Sequence, residues 1–474
     1  MTNLWTISEI KSALKDQIVK IGKSEIFVDK VVIDSRAKVD NGLFVAFKGE
    51  NNDGHNYIKQ AFENGCTFAI VEKIPEEFNN DERLILVKNS IHALELLASF
   101  SRSRFKGKVI AVTGSVGKTS VKEMLKFVFD TQGKTHATTG NLNNHFGLPL
   151  TLANMPSDTE FAVLEMGMNH ANEITKLSKL GRPHIAIITT IAAAHIGNFK
   201  NEEAIAYAKS EIFDGLEPQG FAIINADNKY FDIMKSEAIL RKVSDKNIIS
   251  FGKKEISDVK LTSIESSENF NSKVSVYFKS ESQEVNYQIN SINQTTIFNS
   301  LIAIACLKLI GKDFSKGLEA FCNLQTPKGR GNLIKVKKGD INFTIIDDSY
   351  NANSESMRAA LKFLADLKNH QPNSRAIAFL GDMLELGNFS EDEHKNLAHY
   401  ITANFVDKVL LVGNEMKILT TKILPDKLIG HFETSIKASE EMIFSPNEND
   451  IILVKGSRGI KMEKLIEKLT SQNS

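Results

Sequence analysis

Residues 111–120 read "AVTGSVGKTS". An apolar strand, a glycine turn and a Lys-Thr pair opening a helix can cradle phosphate, because backbone N–H groups and the helix N-terminus surround its oxygens. In that chemistry Thr113, Gly114, Ser115, Val116, Gly117 and Ser120 shape the cradle. Lys118 neutralises the β and γ oxygens and the Thr119 hydroxyl holds Mg²⁺. The usual spacing would put the first glycine at Val112, so this is a contracted form, TGxxGKT. The plain alternative is a glycine turn joining strand to helix.

Further reactive residues follow at the ends of later strands, where an open α/β sheet gathers its ligands. Glu165, in "FAVLEMG", is positioned to coordinate a metal or to remain a solvated carboxylate. His195, in "TTIAAAHIGNF", offers a neutral imidazole nitrogen, although a lone histidine often serves structure. Lys209, in "AIAYAKSEIF", reads by itself as an ordinary exposed helix lysine. "TTGNLNNHFGLPLTL" sets Asn141, Asn143 and Asn144 in a glycine-flanked loop that can hydrogen-bond a polar ligand or simply turn the chain. Near the C-terminus, "KGSRG" brings Lys455, Ser457 and Arg458 between a strand and a helix, either as a carboxylate pocket or as a surface turn.

Positioning these groups takes more than one core. A chain of 474 residues, 42% of them hydrophobic, suggests about three domains. Up to residue 85, short strands ("KVVIDS", "GLFVAF", "TFAIVE") and one helix form a small α/β unit. Over 86–312, apolar runs such as "KVIAVTG" and "HIAIITT" read as parallel strands buried on both faces, and "VKLTSIES", "KVSVYFKS" and "EVNYQIN" as an antiparallel meander. The helix after Lys118 aligns Val121, Met124, Leu125, Val128 and Phe129 on one face. A third α/β series occupies 313–474, with a hinge expected near 311–315.

Fifty-eight basic residues balance fifty-eight acidic ones, so no global field draws the chain to nucleic acid or a membrane surface. Cys66, Cys306 and Cys322 show no metal-ligand spacing and read as core fillers in a reducing compartment. No stretch approaches the length of a membrane span, and the N-terminus lacks a signal-peptide pattern. A monomeric, cytoplasmic protein is expected.

Taken in order, TGxxGKT, TxGNxNNxxGxP, LExG, AHxxxF and AxxKxEIF resemble the central domain of the Mur ligases, the ATP-dependent amide ligases of peptidoglycan synthesis. "IIDDSYNANSESM", "LGDMLELG" and "ILVKGSRGIKMEKL" resemble the third domain of the members that add D-alanyl-D-alanine, and residues 32–61 resemble their UDP-sugar-binding domain. The resemblance implies an α/β fold in three domains, with a central P-loop ATPase-like parallel sheet and a Rossmann-like C-terminal domain. It implies ATP and Mg²⁺, with UDP-N-acetylmuramoyl-tripeptide and D-alanyl-D-alanine as substrates.

It also implies roles. Thr119 would bind one Mg²⁺, and Glu165 and His195 a second; Lys209 matches a carbamylated lysine; Lys118, Glu165, His195 and Lys209 would form the catalytic set. Asn299 would contact adenine, and Arg330 with Asp347 or Asp348 would approach the nucleotide. Ser35 and Arg36 would lie near uridine, and Asn141 and Asn143 near the sugar and its phosphates. Tyr350, Asn351, Lys455, Ser457 and Arg458 would bind substrate. Two departures stand out: Ser354 replaces the usual proline after Tyr-Asn-Ala-Asn, and Thr295 replaces a histidine four residues before Asn299.

A sibling ligase or a folylpolyglutamate synthase would share the phosphate turn, but the third-domain strings argue against both, and no Asp-Asn-Pro-Arg occurs. A P-loop kinase would transfer phosphate to a hydroxyl, and a silent sugar-binding scaffold would not need Lys118, Thr119, Glu165 and Lys209 together.

Overall fold

The computed structural model describes residues 4–471 except 23, 24, 26, 50, 51, 194, 195, 268, 269 and 372. Three main sheets organise it, with strands in chain-crossing order. In the N-terminal unit the strands Lys30–Val32, Gly42–Val45, Cys66–Val71 and Leu84–Val87 pair in parallel, and Ile18–Lys20 closes the edge antiparallel. The helix Ile7–Leu14 opens with a capping box, in which Thr6 and Glu9 satisfy each other's backbone N–H groups.

The helix Ser90–Arg104 belongs to two cores. Its Ala93, Leu94 and Leu97 pack with the N-terminal sheet, whereas Ala98 joins the central core. Two further fastenings reinforce the join. The Asn154 amide accepts from Val31 N–H (2.9 Å) and donates to Val31 C=O (2.8 Å), completing the edge strand as another strand would. Trp5 donates its indole N–H to Ala153 C=O at 2.8 Å.

The central sheet has nine strands. Its parallel part runs from Thr135–Ala137 through Phe161–Glu165, Lys108–Thr113, Ile185–Ile188, Phe221–Asn225 and Ile248–Gly252 to Val259–Ser266. The strands Ser272–Phe278 and Gln283–Ile289 then extend it antiparallel, as the alternating pattern predicts. Within one strand, Ile110 and Val112 enter one core while Val109 and Ala111 enter the other, which is why the run is apolar throughout. The helix Lys118–Asp130 covers one face with the expected stripe, all of it buried.

The C-terminal sheet orders Asn332–Lys338, Ile341–Asp348, Ile451–Lys455, Ala376–Gly381, Lys408–Val412 and Leu428–Phe432, all parallel except its first pair. The seam between the last two units differs from the expected 312/313. The helix Phe314–Ala320 and the following Phe321 and Leu324 seal the central core. Asn290 fixes this end through Phe321 C=O (3.0 Å) and Leu324 C=O (3.2 Å). Residues 311–315 are therefore tied to the central unit, and the crossing strand of chain is 325–331. Cys66 and Cys306 are buried as expected, but Cys322 is exposed.

Candidate active site

The phosphate turn lies where the strand order reverses, beside Lys108–Thr113, with neighbours leaving on both sides. Two glycines give it shape. Gly114 has φ +150°, and a Cβ there would sit 1.9 Å from Thr189 Oγ1; Gly117 has φ +87°. The turn is stapled to the next strand end: Ser115 Oγ donates to Ala192 C=O (2.9 Å), and Thr189 Oγ1 donates to Val116 C=O (2.6 Å). Lys118 folds across its own turn and donates to Gly114 C=O at 2.7 Å. Burial holds its pKa below the ordinary lysine value, against the opposing pull of Glu165. Thr113 is fully buried with its hydroxyl committed to Met166 C=O (2.8 Å), so it and Gly114 support the turn from beneath rather than line the cleft.

A cavity of about 420 Å³ opens above this turn and reaches the C-terminal unit. Ser115 to Ser120, Asn141, Asn143, Glu165 and Asn299 form its central-unit wall. Arg330, Asp348, Tyr350, Asn351, Ser457 and Arg458 face them. The fold thus brings residues from widely separated segments to one cavity.

Glu165 is 2% exposed, and its Oε1 accepts from Asn143 Nδ2 at 2.7 Å. Among the described residues its Oε2 is buried with no hydrogen-bond partner. An anionic oxygen in that state is strongly disfavoured unless a cation completes it. Thr119 Oγ1 stands on the same cleft, so Thr119 and Glu165 offer the hard oxygen donors that suit Mg²⁺. Among the described residues no group of three or more His, Cys, Asp or Glu forms a metal cluster. His195 lies outside the described residues.

Lys209 is not the exposed lysine its helix suggests. It is 1% exposed, and burial, then the charge of Lys118, hold its pKa well below the ordinary value, while Glu211 opposes them. The asparagine loop divides its labour: Asn143 donates to Glu165, and Asn144 Oδ1 accepts from Gly147 N–H at 2.9 Å, at the first residue of the helix Gly147–Ala153.

On the facing wall, Asp347 accepts from Gly329 N–H (3.0 Å) and Ser349 Oγ (2.6 Å), a structural assignment away from the cleft. Asp348 pairs with Lys455 at 2.7 Å, and Lys455 also donates to Asn351 C=O at 2.9 Å. Burial pushes the Asp348 carboxyl up and the Lys455 ammonium down, and each charge offsets the other's shift. Ser457 Oγ donates to Ala352 C=O and accepts from Leu384 N–H, so it joins three loops. Arg330 donates to Thr119 Oγ1 at 3.2 Å across the seam.

Ser35 and Arg36 do not reach this cavity. Ser35 donates to Gln60 (2.7 Å), and Arg36 is exposed against Asp34 (2.8 Å). Sequence reasoning singled out no residue of "LGDMLELG", yet Leu384, Glu385 and Leu386 line the cavity. The buried His394 fixes that loop by accepting from Met383 N–H at 3.0 Å. Its signal was the glycine-bounded pair of leucines, one of which, Leu384, stays exposed.

Known proteins share this arrangement. The Mur ligase middle domain matches residues 112–307, and the Mur ligase, glutamate ligase domain matches 329–458. A UDP-N-acetylmuramoyl-tripeptide--D-alanyl-D-alanine ligase of Rickettsia prowazekii is 35% identical, over 98% of this chain and 99% of its own. A crystal structure of MurF from Acinetobacter baumannii superposes with TM-score 0.83 at 31% identity, covering 98% of both chains. MurF ligase from Thermotoga maritima, solved in complex with ADP, gives TM-score 0.75 at 27% identity over 94% of this chain and 97% of its own. The chain belongs to the Mur ligase family, in the group whose members are named UDP-N-acetylmuramoyl-tripeptide--D-alanyl-D-alanine ligases.

Proposed function

We propose that this protein joins D-alanyl-D-alanine to UDP-N-acetylmuramoyl-tripeptide at the expense of ATP. The observation carrying this reading is the shared cavity, in which a phosphate turn faces a second unit bearing Arg330, Tyr350 and Arg458. A carboxylate is a poor electrophile with a poor leaving group, so it must be activated. The tripeptide carboxylate attacks the γ-phosphorus, ADP departs, and an acyl phosphate results. The dipeptide amine then attacks the acyl carbon, loses its proton, and expels phosphate through a tetrahedral intermediate.

Both steps crowd negative oxygens, so alignment and charge neutralisation supply most of the acceleration. Lys118 and Arg330 carry that work from opposite walls, and Asn299 contacts the base. Thr119 and Glu165 would hold Mg²⁺, which neutralises and aligns phosphate oxygens when bound. Lys209 suits carbamylation, because burial and the charge of Lys118 disfavour its ammonium form and so favour the nucleophilic amine. Its nitrogen would bond CO₂ and release a proton, replacing the amine by a carbamate anion within the field of Lys118. Arg458 receives the dipeptide's far carboxylate, since Lys455 is already paired. Ser35 and Arg36 serve the uridine end, and Asn141 the sugar phosphates. The enzyme works in the cytoplasm as a monomer in this reading.

Closure of the third unit over the cavity excludes water from the acyl phosphate. The test supplies ATP, Mg²⁺ and UDP-N-acetylmuramoyl-tripeptide with a panel of dipeptides and single amino acids, following ADP and product mass. A pentapeptide precursor is expected with D-alanyl-D-alanine. ADP without any coupled product under every supply would refute the reading. Lys118→Ala is expected to lose roughly a hundredfold in rate, about 3 kcal/mol, with the circular dichroism spectrum of the folded protein retained.

A further inference from the structure

Tyr350 lies beside two cations that both line the cavity. The guanidinium carbon of Arg330 is 4.1 Å from its ring centroid, and that of Arg458 is 5.5 Å away. Both distances fall where the face of an aromatic ring attracts a cation. The arrangement around Arg330 is built by its flanking glycines. Gly329 and Gly331 take φ +75° and +82°, and a Cβ on Gly329 would stand 3.0 Å from Tyr350 Cβ. Tyr350 N–H also donates to Gly329 C=O at 3.1 Å, so the glycine turn and the ring move together.

The outer ends of the two arginines differ. Arg330 crosses the seam to Thr119 on the phosphate turn. Arg458 has a side chain 65% exposed and, among the described residues, an ion pair with Glu463 at 3.3 Å. Its neighbour Lys455 is buried against Asp348, which leaves Arg458 as the cation of that string turned toward solvent.

We propose that Tyr350 is a positioning residue that couples the two ends: its ring holds Arg330 on the phosphate turn and Arg458 toward the acceptor carboxylate, so that filling either end tightens the other. This rests on the ligase reading and names the residue that links its nucleotide and its acceptor. With the acceptor absent, two like charges share one ring and repel. A carboxylate on Arg458 relieves that repulsion, and Arg330 settles more firmly on the ring and on Thr119. Linkage makes the effect reciprocal.

Steady-state kinetics on the full chain test it, with UDP-N-acetylmuramoyl-tripeptide saturating and ATP and D-alanyl-D-alanine varied together. In the natural protein and in Tyr350→Phe, the KM for ATP is expected to fall as dipeptide rises. In Tyr350→Leu that dependence is lost and the dipeptide KM rises about tenfold, as loss of one such contact pair predicts. Arg458→Gln raises the dipeptide KM in the natural background but adds little to Tyr350→Leu, because the two changes break one interaction. Trifluorinated phenylalanine at position 350 keeps shape while depleting the ring face, and gives values between Phe and Leu. That series decides the matter even if Tyr350→Leu does not fold. Equal profiles for Phe and Leu, additivity with Arg458→Gln, or a fluorinated ring matching Phe each overturn the proposal. Absence of coupled product from the natural protein sinks the ligase reading, and this proposal with it.

Discussion

Lys209 sets the chemistry of the site against the stability of the fold. A lysine sealed from water holds its proton less tightly folded than unfolded, so unfolding takes one up. Stability therefore rises with pH between its lowered folded value and the ordinary lysine value, and below that window the whole penalty is present. In metal-free, CO₂-depleted buffer, Lys209→Met is expected to be more stable at neutral pH by about 1–2 kcal/mol and to lack that rise, as urea titrations across the pH range would record. The same variant should lose at least about a hundredfold in turnover. The residue type and its place after the strand were legible in the sequence. Its burial was overlooked: Ile205 and Ala206 before it and Ile212 and Phe213 after it share its helix face and are buried, but a lysine's usual preference for solvent argued the other way. Asn143 shows a different limit: three asparagines looked alike, and only folding gave one of them Glu165 as acceptor.

At the scale of elements, most strands were readable because residues that alternate between two cores must be apolar in succession. The contracted turn is likewise dictated locally. Gly114→Ala would place a methyl against Thr189 Oγ1 at a φ that L residues rarely adopt. That variant should lose nucleotide affinity by more than about tenfold, equivalent to about 1.4 kcal/mol, with the circular dichroism spectrum retained. Titration with a fluorescent ATP analogue measures it. The misplaced seam has an equally physical origin. Gly311 ends one helix with φ +70° and Asp313 caps the next, which is how a domain boundary looks in sequence. A short amphipathic helix does not announce which apolar surface it covers, and Phe314–Ala320 covers the earlier sheet.

Across the whole molecule the two seams are built differently. The first is closed by hydrogen bonds and rings: Asn154 on Val31, Trp5 on Ala153, and Phe47 stacked on Phe146 with centroids 5.0 Å apart. The second is closed by Arg330 on Thr119, by Lys362 donating to Gln294 (3.2 Å), by Ile292 packed into the third unit's core, and by two glycines in contact, since a Cβ on Gly197 would lie 3.3 Å from Gly387 N. Gly197→Val would wedge that contact. Solution scattering with nucleotide and substrates is expected to give a larger radius of gyration than the natural protein, and kcat should fall more than the KM for ATP rises. Asn154→Ala strands a backbone donor and acceptor at the other seam, costing about 1–3 kcal/mol. Its melting temperature should drop, and the KM for the UDP-linked substrate should rise while that for ATP holds.

The Asn154 amide therefore does more than patch an edge. It stitches the N-terminal unit to the central one, so that the two form a single anvil, on which the proposed reading would rest two of its three reactants in fixed register. In that reading the acceptor alone would travel, carried in by the remaining unit as a hammer is. A compound that wedged between the first two units would spoil the alignment of reactants, whereas one lodged under the third would merely stop the stroke.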